Sequence, residues 1–193
     1  MRNIIFATGN KGKVLEVKKI FKGSQFNIIA LSDLGKVIDI PETGDTYEEN
    51  ALIKAKAIYD IYKEPVIADD SGLSIDQLDG RPGVISARYA GENCTFDDNN
   101  HKVLKELEDF PQPHTARYVA CAVYYDGGEP VYSIGEFEGQ IIKEFRGTNG
   151  FGFDPIFLPD GYEITCAEMT TEEKNKLSHR AKAFRNLKAK LEK

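Results

Sequence analysis

Long apolar runs are missing from this 193-residue chain, and none approaches the roughly 20 consecutive apolar residues that a membrane helix requires. No membrane partner is therefore expected. Cysteine is scarce. Cys94, Cys121 and Cys166 lie far apart and form no Cys-x-x-Cys pair, so a zinc site, a redox motif and a disulfide framework are all unsupported. Positive charge is in deficit, with a formal net charge of −6. An acidic chain gains little from long-range attraction to nucleic acid, and no nucleic-acid partner is expected. A polyanion bound here must instead meet a local cluster of cations. Internal repeats, low-complexity tracts and composition breaks are also lacking. The opening Met1–Ala7 segment has a short apolar run with no small-residue cleavage pattern behind it. It reads as a first strand rather than a signal peptide, and the cytoplasm is the expected location.

What is present describes a globular protein, 41% apolar and 29% charged, long enough for one sizeable core or two small lobes. Residues 2–8 read as a strand. Lys11–Lys22 reads as a helix, with Val14, Leu15, Lys18 and Phe21 at three-to-four spacing, and Gln25–Leu31 as a second strand. Thr46-Tyr47-Glu48-Glu49 is a capping-box pattern opening a helix to about Tyr62, whose apolar face is Ala51, Leu52, Ala55, Ile58, Tyr59 and Tyr62. A strand over Val66–Asp70, a loop over Gly80–Gly91 and a capped helix over Thr95–Asp109 follow. Two β-rich stretches, Ala116–Tyr125 and Pro130–Ile142, flank an Asp-Gly-Gly turn and predict a hairpin. A last helix starts near Ser178. The pattern predicts an α/β fold: one two-lobed domain over residues 1–193, around a mixed, twisted central sheet with a cleft between the lobes.

Residues 66–73, Val-Ile-Ala-Asp-Asp-Ser-Gly-Leu, carry the most chemistry. An apolar strand runs into two carboxylates, a hydroxyl and a glycine, at a point where the strand is expected to leave the sheet. Carboxylates so placed hold a divalent metal or take a proton from water; the alternative is a plain turn. Successive strand side chains face opposite ways, so Asp69 and Asp70 are expected to have separate roles. Glu42, in Pro41-Glu42-Thr43-Gly44, supplies a further loop carboxylate. Thr8-Gly9-Asn10-Lys11-Gly12-Lys13 joins a strand to a helix with glycines and lysines, either as a phosphate cradle or as an ordinary turn with solvated lysines. It is not a P-loop, because the spacing differs. The Gly80–Gly91 loop, with Arg81 and Arg88, either covers an anion or pairs with surface carboxylates. In Gly150–Phe157, the glycine-flanked Phe151 and Phe153 are candidates to stack on a base and Asp154 to read its edge, while Phe157 reads as core. Lys174, Ser178, His179 and Arg180 gather at an expected helix start, where cations oppose the macrodipole; such a misfit often marks a site. His101 and His114 read as surface residues.

Taken in order, Thr8-Gly9-Asn10-x-x-Lys13, Ala68-Asp69-Asp70-Ser71-Gly72-Leu73, Gly83-x-x-Ser86-Ala87-Arg88, Phe151-Gly152-Phe153-Asp154-Pro155 and Lys174-x-x-x-Ser178-His179-Arg180 resemble the inosine triphosphate pyrophosphatase (Ham1-like) family along nearly the whole chain. The resemblance implies hydrolysis of ITP, dITP and XTP to the monophosphate and pyrophosphate. It also implies Mg²⁺ as cofactor, a purine nucleoside triphosphate as substrate, and a homodimer. It makes Asp70 the general base and a metal ligand, with Glu42 assisting at the metal. Thr8, Gly9, Asn10, Lys11, Gly12, Lys13, Ser71 and Lys174 would hold phosphates and ribose. Phe151, Gly152, Phe153, Asp154, His179 and Arg180 would bind the base. Three rivals are a Maf-like pyrophosphatase acting on pyrimidine or modified nucleotides, which lacks the Ser-His-Arg and Phe-Gly-Phe-Asp segments; a non-catalytic nucleotide sensor; and a nucleic-acid-binding protein, which the acidic balance opposes.

Overall fold

The computed structural model describes residues 1–35, 38 and 40–193. Six strands form one sheet: β1 (Arg2–Phe6), β2 (Phe26–Ala30), β3 (Val66–Ile75), β4 (His114–Tyr125), β5 (Val131–Ile141) and β6 (Phe157–Pro159), in the order β2-β1-β3-β4-β5-β6. The sheet is mixed, as expected: β1 runs parallel to β2 and β3, and β5 antiparallel to β6. Five α-helices accompany it: α1 (Lys11–Phe21), α2 (Tyr47–Tyr62), α3 (Phe96–Glu106), α4 (Thr171–Leu177) and α5 (His179–Leu191). Among the described residues no helix is long and apolar enough to cross a membrane.

The chain divides into two compact units. The first contains residues 1–70, 120–135 and 180–193. Two core clusters build it. One packs Ile4, Phe6, Val17, Phe21 and Ile67 with Phe184 and Leu187 of α5; the other packs Ile5, Ala7 and Val66 with Ala51, Ala55 and Ile58 of α2. Alternate residues of β1 thus serve different clusters, as strand periodicity requires. The second unit contains residues 71–119 and 136–179. Its core gathers Leu73, Ile75, Val103, Leu107, Tyr118, Phe153 and Phe157.

Several expectations need correction. The strand after Pro65 does not stop at Asp70; β3 continues to Ile75, placing Asp69-Asp70-Ser71-Gly72 inside it. Gly72 is required within it. A Cβ there would lie 2.2 Å from the Gly83 carbonyl oxygen, so glycine admits another backbone against the strand. The inward face of α1 is carried by Val14, Val17 and Phe21, while Leu15 is 71% exposed. The Gly80–Gly91 loop contains a 3₁₀ segment over Gly83–Arg88. His114 is buried, its Nε2 paired with the Phe110 carbonyl, whereas His101 is exposed as expected. The last helix starts at His179, as expected, but a short helix not read from the sequence, α4, ends just before it at Leu177. Lys174 therefore occupies the last turn of α4, where a cation complements the dipole. The misfit is confined to His179 and Arg180.

Candidate active site

In the first unit, β3 presents Asp69 and Asp70 to different partners, the division that strand alternation predicts. Asp69 is buried. Its Oδ2 accepts from Lys13 Nζ at 2.9 Å and from Arg180 Nε at 3.1 Å. Arg180 also pairs with Glu16 at 3.5 Å. Burial pushes the Asp69 carboxyl upward, but the Lys13, Arg180 and Lys54 charges and the Lys13 hydrogen bond overcome it and hold the group well below the usual carboxylate range. Asp69 is therefore a fixed anion. Burial dominates at Lys13 and lowers its ammonium despite Asp69.

Asp70 is also buried and faces α2 and the Glu42 loop. Its Oδ1 lies 3.4 Å from Lys54 Nζ, and its Oδ2 accepts from Asn50 Nδ2 at 3.2 Å. Asn50 also holds the loop: its Oδ1 accepts the Gly44 N–H at 2.7 Å, and its Nδ2 reaches the Gly44 carbonyl at 3.3 Å. Gly44 has no room for a side chain, since a Cβ would sit 2.6 Å from Glu49 Cβ. Two residues before it, Glu42 Oε1 meets Lys54 Nζ at 2.5 Å. Glu42 and Asp70 thus converge on one point, which the Lys54 ammonium fills. Burial raises the Asp70 carboxyl above its ordinary range; Lys54 opposes this and Glu42 adds to it.

That convergence tests whether a divalent cation fits. Two hard oxygen donors from separate segments already surround a positive charge, so the donor set suits Mg²⁺. Among the described residues no three of His, Cys, Asp and Glu form a metal-holding cluster. A cation here would complete its coordination with water and phosphate oxygens, the usual habit of Mg²⁺.

The Thr8–Lys13 segment folds as a capped turn. Asn10 is the N-cap of α1, its Oδ1 accepting the Gly12 and Lys13 N–H groups at 2.9 and 3.1 Å. Thr8 Oγ1 accepts the Asn10 N–H at 3.2 Å. The expected cradle is therefore pre-shaped by its own side chains, with Lys13 turned to Asp69 and Lys11 exposed. A Cβ on Gly9 would meet nothing within 4 Å, so steric need does not explain that glycine.

The second unit gathers the other candidates. Asp154 is buried; its Oδ2 accepts the Phe151 N–H at 2.9 Å and pairs with the Lys174 ammonium, and its Oδ1 accepts from Tyr118 Oη at 3.3 Å. Burial, then Asp154, push the Tyr118 phenol well above its ordinary range, so it stays a donor. The His179 ring stacks on Tyr118, with centroids 5.0 Å apart and planes 12° from parallel. Phe151 is 48% exposed, with Lys174 Nζ 4.9 Å from its ring centroid, but Phe153 is buried in the core. The aromatic face expected of both therefore narrows to Phe151, and Gly152 contributes its carbonyl to Asn100 Nδ2 at 3.0 Å. Phe157 is core, as expected. Ser71 opens this unit's share of β3. The Gly83-x-x-Ser86 motif is structural here: Ser86 Oγ accepts the Leu73 N–H at 2.9 Å and donates to the Gly83 carbonyl at 2.6 Å, clamping the 3₁₀ segment onto β3. Arg81 pairs with Glu106 at 2.8 Å.

Glu16, Asn50, Lys54, Asn100 and Tyr118 escaped the sequence reading. A signal existed for two of them: Asn50 and Lys54 stand four apart beside the apolar stripe of α2, and both are buried. Arg180 was expected at the base but is engaged with Asp69 and Glu16, one residue after a His179 that belongs to the second unit.

Comparison with known proteins adds an independent line. A sequence profile of the Ham1 family matches residues 4–190. The chain is 49% identical over 189 residues to a dITP/XTP pyrophosphatase of Halalkalibacterium halodurans, covering 97% of each chain. It superposes on the Ham1 protein of Staphylococcus aureus with a TM-score of 0.90 at 38% identity, covering 99% of this chain and 98% of that one. A HAM1 protein from Coxiella burnetii gives a TM-score of 0.93 at 37% identity, covering 100% and 99%.

Proposed function

This chain belongs to the Ham1 family, and we propose that it is a nucleoside triphosphate pyrophosphohydrolase that converts dITP, ITP and XTP to the monophosphate and pyrophosphate. The observation that carries the reading is the convergence of Glu42 and Asp70 on one cation position in the first unit, in a chain whose relatives include dITP/XTP pyrophosphatases. In this reading Glu42 and Asp70 would hold Mg²⁺, which when bound neutralises phosphate charge and polarises the reacting phosphoryl group. Asp70, its basicity raised by burial, takes a proton from a water whose oxygen attacks the α-phosphorus in line. The bond from that phosphorus to the bridging oxygen breaks, and pyrophosphate leaves with the bonding electrons. Lys13 supplies positive charge for the phosphates, and Asn10 keeps the turn before it in shape.

The purine falls to the second unit's group. Phe151 offers a half-exposed ring for stacking, and His179, braced on Tyr118, offers a ring nitrogen to the 6-keto oxygen of hypoxanthine or xanthine. Adenine presents an amino group there instead. A site built to hydrogen-bond one group can reject its replacement by roughly 10⁴-fold. Arg180, expected at the base, also braces Asp69. The test is pyrophosphate release from a panel of triphosphates with Mg²⁺. ITP, dITP and XTP should turn over far faster than ATP; UTP or a methylated pyrimidine turning over faster than ITP would refute the specificity. Asp70→Asn should abolish turnover while ITP still binds. That result separates a catalyst from a nucleotide sensor.

A further inference from the structure

Lys54 occupies the position that the proposed function gives to a metal ion. Its side chain is only 11% exposed, and its Nζ reaches Glu42 Oε1 at 2.5 Å and Asp70 Oδ1 at 3.4 Å. It is delivered there by α2, the helix that also carries Asn50, whose amide fixes Asp70 and the Glu42 loop. We propose that Lys54 is a built-in counter-cation that holds the Glu42–Asp70 pair shut against free divalent metal, so that the ion is admitted only together with a triphosphate. The inference rests on the reading of Glu42 and Asp70 as the metal pair.

Charge and geometry support it. With Lys54 in place the three side chains carry a net charge of about −1 rather than −2, which weakens attraction for a dication. The ammonium also uses an oxygen of each carboxylate that a metal would need. A dication must therefore displace the Nζ or share its acceptors beside a fixed positive charge, and like charges at such spacing repel. A nucleotide changes the balance. Its phosphates bring several negative charges and oxygen ligands with the ion, and Mg²⁺ favours such mixed coordination. Asn50 leaves the carboxylates arranged after the ammonium moves, because its bonds go to Asp70 Oδ2 and to the Gly44 backbone, not to Lys54. The consequence is a site with little appetite for metal alone and a set order of assembly.

The test measures Mn²⁺ binding to nucleotide-free protein by the electron paramagnetic resonance signal of the unbound ion. Lys54→Met should bind Mn²⁺ at least tenfold more tightly than the parent protein. Lys54→Arg, which keeps a cation, should not. Adding Asp70→Asn to Lys54→Met should abolish the gain, which places the ion between the two carboxylates. Lys54→Gln keeps a polar side chain of similar reach and serves if Lys54→Met does not fold, as judged by its thermal melt. Mn²⁺ affinity in Lys54→Met and Lys54→Gln no higher than in the parent would overturn the role of Lys54. A parent enzyme that hydrolyses ITP at full rate in excess EDTA would instead overturn the metal reading itself, so the two failures are distinguishable.

Discussion

Replacing Asp69 with Asn removes the anion that two cations share without changing the side chain's size. Asp69 is 1% exposed at its side chain, Arg180 6% and Lys13 18%, so the variant strands positive charge where water does not compensate it. Deleting one partner of a buried ion pair typically costs about 3–5 kcal/mol. Arg180 keeps Glu16 at 3.5 Å, and Lys13 is the more exposed cation, which favours the lower end, about 3 kcal/mol. With a urea m-value near 2 kcal/mol/M for a chain of this size, the unfolding midpoint should fall by about 1.5 M. The loss must also depend on pH. The folded Asp69 carboxyl is held well below its ordinary range, whereas in the unfolded chain it titrates near about 3.9. A depressed folded pKa contributes stability that is present above the unfolded value and disappears as the pH falls through the folded one. The gap between parent and Asp69→Asn should therefore be full at pH 7 and narrow steadily below about pH 4. The double variant Asp69→Asn/Lys13→Met should lose less than the sum of its parts, because Lys13→Met removes one of the stranded charges. A loss under about 1 kcal/mol at pH 7, or a gap that stays constant down to pH 2, would refute the reasoning about a buried charge cluster.

Three further outcomes are expected. Gly72→Ala would push a Cβ to 2.2 Å from the Gly83 carbonyl and 2.6 Å from Ser86 Oγ, forcing the clamped 3₁₀ segment off β3; a destabilisation of about 1–3 kcal/mol should appear in urea unfolding, and an unchanged midpoint would contradict the contact. Burial pushes the Cys121 and Cys166 thiols up to about 12, so native protein at pH 8 should show one fast thiol towards a disulfide reagent, lost in Cys94→Ser, and three after denaturation. Tyr118→Phe removes the hydroxyl that supports Asp154 while keeping the ring under His179; the KM for ITP should rise about fivefold with a smaller change in kcat, as the loss of about 1 kcal/mol in a hydrogen bond implies.

The elements were readable in the residues because their causes are local. Capping by Thr46 and Thr95 and the apolar stripes of α2 and α3 depend on neighbours a few residues away, and each element lies close to where those signals put it. The errors arose where a local pattern had more than one solution. On α1 a face through Leu15 and one through Val17 both satisfy helical spacing, and only packing against Ile4, Phe6 and Phe184 selects the second. Asp-Asp-Ser-Gly reads as a turn by composition. It lies within a strand, where Gly72 receives the Gly83 backbone, an approach no local rule announces. Ser178 was rightly placed at the start of the last helix, but the helix that ends there was missed, which put Lys174 on the wrong side of the break.

The residues by themselves determined the α/β class, the order of the longer strands and helices but not β6 or α4, the family and the opposite facing of Asp69 and Asp70. The last follows from strand alternation alone, since adjacent side chains must face apart. Tertiary structure decided which partners those carboxylates meet. Asp69 finds Arg180 across 111 positions of sequence, and Asp70 finds Lys54 and, through Asn50, the loop that carries Glu42. The physical reason is range: helix and strand patterns arise from neighbours, whereas a buried charge is satisfied by whatever the folded chain brings within about 4 Å. Spacing along the chain carries no record of that.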